Sequence, residues 1–99
     1  MKPFDLEIKN IAVEQKSRGR GIGTAAITIV IDVARSRGFR RVIVGTADSS
    51  VGTIGFYERR GFRICGVRRG FLDAYPEAIV EDGIVAHDMV MLEVNVQPQ

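Results

Sequence analysis

Residues 8–26, IKNIAVEQKSRGRGIGTAA, decide how the rest of the chain is read. They pass from an apolar strand through a basic loop to three alternate glycines, Gly19, Gly21 and Gly23, which open an amphipathic helix. Glycines at that density let backbone N–H groups come close to a ligand, because no Cβ intervenes. A helix N-terminus adds about half a positive charge and several unpaired donors. With Arg18 and Arg20 beside them, these groups predict an anion site suited to a phosphate or pyrophosphate.

Working outward, residues 6–13 alternate loosely between apolar and polar and predict a strand, bulged near Asn10 where the alternation changes phase. From Ile22 the spacing turns helical. Ile22, Ala25, Ala26, Ile29, Val30, Val33 and Ala34 form an apolar stripe. Arg35 and Arg37 suit the last turn, and Gly38 ends it. Residues 41–46 (RVIVGT) predict a short buried strand. Asp48, Ser49 and Ser50 are all competent N-caps for a second helix reaching Arg60 and closed by Gly61. Its interior glycines, Gly52 and Gly55, together cost about 2 kcal/mol relative to alanine, which predicts close packing on another element or a ligand.

Residues 62–69 read as a third strand with Ile64 and Val67 as its apolar members. Residues 70–83 read as an aromatic and acidic connection of a length often tied to function. Residues 84–96 read as one long closing strand, with Ile84, Ala86, Val90, Leu92 and Val94 on its apolar face and Met89 and Met91 opposite. The order is β-α-β-α-β-β. Right-handed crossovers make the first strands parallel, and the final pair is antiparallel.

The totals fit one small domain, since 45% of the 99 residues are hydrophobic and 26% charged. A net charge of +2 is too small to argue for nucleic acid, which calls for a basic face or stripe. The lone Cys65 excludes a disulfide framework and predicts a reducing, cytoplasmic setting, with the thiol buried and inert. No apolar run is long enough to span a bilayer, no signal peptide opens the chain, and no metal-ligand spacing occurs. His87 has no partner cluster in the sequence and reads as structural. Asp73, Glu77, Glu81 and Asp82 read as a solvated loop that would also draw a cationic amine.

The Arg-x-x-Gly-x-Gly stretch (Arg18, Gly21, Gly23), set between an Ile-Ala-Val strand end and a helix, resembles the acetyl-CoA pyrophosphate loop of the GNAT superfamily of N-acetyltransferases. FYERRGF at residues 56–62 resembles the tyrosine-bearing helix of that family and the Gly-Phe after it. GTADSS, YPEAIVEDGI and HDMVML are similar to a bacterial subgroup, so the likeness runs from Glu7 to Val94. It implies an α/β fold, a mixed sheet flanked by helices, with residues 1–99 as a single domain forming the cofactor-binding portion. That portion lacks the strand, helical segment and hairpin with which the family's fold begins.

The resemblance also implies roles. Ile11, Ala12 and Val13 would pair with the pantetheine arm, and the N–H near Val13 would stabilise the oxyanion. Arg18, Gly19, Arg20, Gly21, Ile22, Gly23 and Thr24 would hold the pyrophosphate. Tyr57 would protonate the departing thiolate, and Glu7, ahead of Glu14, would serve as base. Ser50 stands where the family commonly places a cofactor-contacting Asn, with Asp48 two residues earlier. The implied activity is transfer of an acetyl group from acetyl-CoA to a primary amine by direct attack. An exposed sheet edge in the shortened fold predicts a homodimer. Two other functions remain: a non-catalytic or partner-dependent acetyl-CoA-binding remnant, and a dinucleotide module. The relaxed fingerprint Gly21-x-Gly23-x-x-Ala26 with Asp48 favours the latter. The seven residues between strand and glycines, and the late position of Asp48, count against it.

Overall fold

The computed structural model describes residues 5–8 and 22–97, the side chains of Ile8 and Ile22 apart. Strand β1 (Asp5–Ile8) leads, and helix α1 (Ile22–Ser36) precedes strand β2 (Arg41–Ala47). Helix α2 (Val51–Arg59) and strand β3 (Arg63–Arg68) follow. A 3-10 turn at Phe71–Ala74, short strands β4 (Val80–Glu81) and β5 (Ile84–Val85), and strand β6 (Met89–Asn95) complete the chain. The main sheet has the order β1-β2-β6-β3, and β4 with β5 forms a separate hairpin. Residues 9–13, which the sequence assigns to the first strand with its bulge, lie outside the described residues.

The sheet is mixed. Strands β1 and β2 are neighbours joined through a helix, the connection that a parallel pair requires. Strand β6 runs antiparallel to β3, in the register Ile64↔Leu92 and Val67↔Val90. The N–H of Asp48 donates to the Asp88 carbonyl at one end of β2, and the N–H of Val96 to the Arg40 carbonyl at the other. Those two bonds set β6 antiparallel to β2 as well.

The chain forms two compact units, Met1–Ile43 with Val94–Gln99, and Val44–Glu93. In the first, Ile27, Ala34, Val42 and Val96 are buried. Helix α1 ends as its sequence predicts, with Gly38 at φ +78° and the Phe39 N–H closing onto the Ala34 carbonyl. Its buried strip differs from the predicted stripe, however. Ile27 is 1% exposed while Ile29 is 62% and Val33 40% exposed, so the buried line runs through Gly23, Ile27 and Ala34. The strip is turned by ~100°, one residue step, from the predicted one. The helix is apolar on more than one side, so periodicity alone does not select the covered face.

Asp5, with its side chain 3% exposed, accepts two charge-assisted hydrogen bonds from Arg41, at 3.1 Å from Nε and 2.7 Å from the terminal nitrogen. This two-point geometry fixes β1 beside β2. Arg41→Met removes both of those bonds from the buried carboxylate. Because Arg41 is partly exposed, the expected cost is below the range for fully buried pairs, about 2 kcal/mol. A urea midpoint measured on Arg41→Met, with Arg41→Lys falling between it and the wild type, checks this.

In the second unit, Val44, Tyr57, Phe62, Leu72, Ala86, Met91 and Leu92 form the core. Gly45 of β2 is closely roofed: a Cβ there would stand 3.0 Å from Cγ of Met89 and 3.2 Å from Sδ of Met91. Both methionines therefore fill the space over a bare stretch of backbone. The long strand predicted over residues 84–96 is instead two strands, β5 and β6, separated by residues 86–88. The connection predicted over residues 70–83 contains the 3-10 turn and strand β4. In strand β3 the apolar members Ile64 and Val67 are each 52% exposed. Cys65 is exposed rather than buried, because a register shift between Ile64 and Gly66 leaves it as the extra residue of a bulge on an edge strand. No described helix is long and apolar enough to cross a membrane.

Candidate active site

The carboxyl end of β2 turns into α2 through Asp48, Ser49 and Ser50, and in open α/β sheets ligands bind outside such strand ends. The three residues divide the work. The carboxylate of Asp48 (Oδ1) accepts the His87 N–H at 3.0 Å, and the Asp48 N–H donates to the Asp88 carbonyl at 3.0 Å. Ser50 is the N-cap residue of α2 by position, yet its hydroxyl makes no capping bond and donates instead to the Glu81 carboxylate on β4. Ser49, which the sequence reading treats only as one of three possible caps, is 3% exposed. Its Oγ is buried with no hydrogen-bond partner among the described residues. A buried hydroxyl left unpaired costs free energy.

Helix α2 carries Tyr57. Among the described residues, the close packing on another element that its glycines predict is not seen. Nothing described lies within 4 Å of a Cβ at Gly52, and only the Arg59 side chain approaches one at Gly55. Tyr57 is 5% exposed. Its ring stands edge-on to Phe56 at 5.3 Å and to Phe62 at 5.2 Å. The Phe62 N–H returns to the Tyr57 carbonyl at 3.0 Å, which folds the Gly61–Phe62 corner under the ring. Burial raises the phenol above its ordinary value of 10.0, so it stays protonated throughout the neutral range.

The same end of the unit holds a pair that the sequence reading passes over. Nδ1 of His87 donates to Oδ1 of Asp73 at 2.7 Å. The backbone of His87 is pinned on both sides, its N–H by Asp48 and its carbonyl by the Leu72 N–H at 2.9 Å. Asp88 accepts the Gly70 N–H at 2.8 Å and so holds the start of the 3-10 turn that carries Asp73. The hydrogen bond and charge of Asp73 raise the His87 imidazole above its ordinary value, with smaller contributions from Asp48 and Asp88. His87 and Asp73 are fourteen residues apart on irregular segments, so no spacing rule would find them.

Of the other predicted site residues, Glu7 lies half-buried on β1, in the unit that does not contain Tyr57. Ile22, Gly23 and Thr24 form the first turn of α1, where Gly23 is buried and no acidic side chain opposes an anion. Ile11, Ala12, Val13, Arg18, Gly19, Arg20 and Gly21 lie outside the described residues. Among the described residues no group of three or more His, Cys, Asp or Glu side chains is placed to hold a metal.

Comparison with known proteins agrees with this geometry. The family described as Acetyltransferase (GNAT) family matches residues 2–62. The uncharacterized N-acetyltransferase YvbK of Bacillus subtilis is 36% identical over 92 residues, which are 92% of this chain and 59% of that protein. An IAA acetyltransferase from Bacillus cereus superposes with a TM-score of 0.90 at 35% identity, over 96% of this chain and 64% of its own. A GNAT family acetyltransferase from Elizabethkingia anophelis with acetyl-CoA bound gives a TM-score of 0.87 at 40% identity, over 92% and 60%. The chain thus spans less than two thirds of the length of each of these relatives. With the family matching residues 2–62 and the fold superposing at a TM-score of 0.90, the chain belongs to the acetyltransferase (GNAT) family.

Proposed function

We propose that this chain is the cofactor-binding portion of an N-acetyltransferase that moves an acetyl group from acetyl-CoA to a primary amine. The observation that carries the reading is the likeness, at 40% identity and a TM-score of 0.87, to a structure holding acetyl-CoA. In this reading the pyrophosphate is held by residues 18–24 and the pantetheine arm pairs with residues 11–13. The N-terminus of α2 completes the cofactor site. In this reading Ser50 contacts the cofactor, and the open side of Gly52 leaves room for it.

The amine attacks the thioester carbonyl directly. The N–H near Val13 takes the oxyanion, Glu7 accepts a proton from the attacking nitrogen through water, and Tyr57 protonates the thiolate. The dinucleotide reading of Gly21-x-Gly23-x-x-Ala26 yields to the family assignment. Two further parts of the proposal rest on narrower grounds. A reducing, cytoplasmic setting follows from the lone Cys65. A homodimer is part of the proposal, with an open sheet edge as its pairing surface.

A ligand that binds only the folded state raises the thermal midpoint in step with its occupancy. Acetyl-CoA at a hundredfold excess over its Kd is expected to stabilise this chain by about 2.7 kcal/mol, and NAD by nothing. A midpoint unmoved by acetyl-CoA, or moved by NAD, would overturn the assignment.

A further inference from the structure

We propose that the His87–Asp73 pair receives the proton of the acceptor ammonium, with His87 as the base and Asp73 as the residue that positions it. This rests on the acyl-transfer reading above and adds to it the step that makes the acceptor a nucleophile. A primary amine is an ammonium ion near neutral pH and cannot attack until one N–H bond breaks. That proton goes to Nε2 of His87. The free amine then adds to the carbonyl carbon, its second proton leaves to solvent, the C–S bond breaks, and the thiolate takes the Tyr57 proton. Tyr57 recovers a proton from solvent. His87 releases its own to solvent, so each turnover yields one amide, one thiol and one proton.

Three observations support the assignment. Nδ1 of His87 is engaged by Asp73 at 2.7 Å, which fixes the tautomer and leaves Nε2 as the basic nitrogen. The imidazole side chain is 58% exposed, so a substrate can reach it. Its backbone is held rigidly between Asp48 at the carboxyl end of β2 and Leu72 of the 3-10 turn. The pair therefore sits where ligands of open α/β sheets collect. The charged groups that face the imidazole are Asp73 from the turn, Asp48 from the end of β2 and Asp88 from the start of β6. All three are carboxylates, a setting that draws an ammonium ion.

His87 is the single histidine of the chain, so its ring proton is unambiguous by NMR. The full chain is titrated alone and with benzylamine, spermidine and a short peptide with a free N-terminus. Because an ammonium ion donates to neutral imidazole and repels imidazolium, at least one amine should lower the His87 midpoint. Its affinity should also rise as pH climbs through that midpoint. Asp73→Asn should lower the midpoint in the free protein, and His87→Gln should make amine affinity independent of pH. For an amine that the wild type acetylates, His87→Gln should lower kcat by ~10²-fold and abolish the acid limb of the pH profile. A His87 midpoint unmoved by all three amines overturns the proposal, as does a His87→Gln enzyme with unchanged kcat and pH profile. Both variants alter exposed side chains, so acetyl-CoA should still raise their thermal midpoints. Loss of that rise in the wild type would instead defeat the acetyl-CoA reading itself.

Discussion

Tyr57→Phe is expected to lower kcat for acetyl transfer by ~10²–10⁴-fold, the size of a general-acid contribution, while the protein stays folded. The substitution removes one oxygen from a ring whose edge-on contacts to Phe56 and Phe62 are made by carbon. Packing is therefore kept, and the acetyl-CoA-induced rise in thermal midpoint should persist. In the proposed mechanism the leaving thiolate is the group that suffers. Burial holds the wild-type phenol protonated beyond pH 10, so an alkaline limb below that pH does not belong to Tyr57. Steady-state kinetics beside a thermal melt in the presence of acetyl-CoA separate the two effects. Equal kcat for Tyr57→Phe and wild type would make Tyr57 a core aromatic, with the proton coming from water.

Much of this architecture was legible in the residues because local signals agree there. The stripe starting at Ile22 and the glycine at 38 bound α1 to within a residue or two, and RVIVGT is β2. Gly61, at φ +98°, closes α2 before Phe62 turns inward. The family is legible for the same reason, since the block that carries Tyr57 lies on α2 and runs to Phe62. Where the reading fell short, the deciding contacts are between segments far apart in the chain. The buried face of α1 depends on what packs there, not on its own periodicity. Cys65 is exposed because of the partner register across β3 and β6.

The hairpin differs, because its signal lies in the local sequence. Asp82 at φ +51° and Gly83 at φ +77° make the Asp-Gly turn that joins β4 to β5, with Val80 opposite Val85. Reading residues 70–83 as one connection absorbed that turn into a loop. The candidate site shows the same division. Tyr57 and Ser50 are named from their motif, whereas the Ser50–Glu81 bond and the buried Ser49 hydroxyl emerge only from the folded chain. The His87–Asp73 pair exists because the 3-10 turn folds back to donate the Leu72 N–H to His87.

The largest effect on stability is expected at Phe62. Phe62→Ala should cost ~3–5 kcal/mol, a loss that a domain of this size barely survives. The ring is 2% exposed, and it is among the largest side chains in the molecule that are fully buried. It lies 5.2 Å from Tyr57, and its own N–H ties the Gly61 corner to the helix, so no neighbour is free to collapse into the space. At roughly 4–8 °C per kcal/mol for a chain under a hundred residues, the thermal midpoint should fall by at least ~12 °C. Val51→Ala on the same helix removes methyl groups from a side chain 65% exposed and should change stability by no more than ~0.5 kcal/mol. Acetyl-CoA should recover part of the Phe62→Ala deficit by mass action but not the activity, because the cavity frees the Tyr57 ring that Phe62 holds in place. Melts of both variants with and without acetyl-CoA check the whole argument. A Phe62→Ala midpoint close to that of Val51→Ala would mean that the ring is not the keystone of this unit.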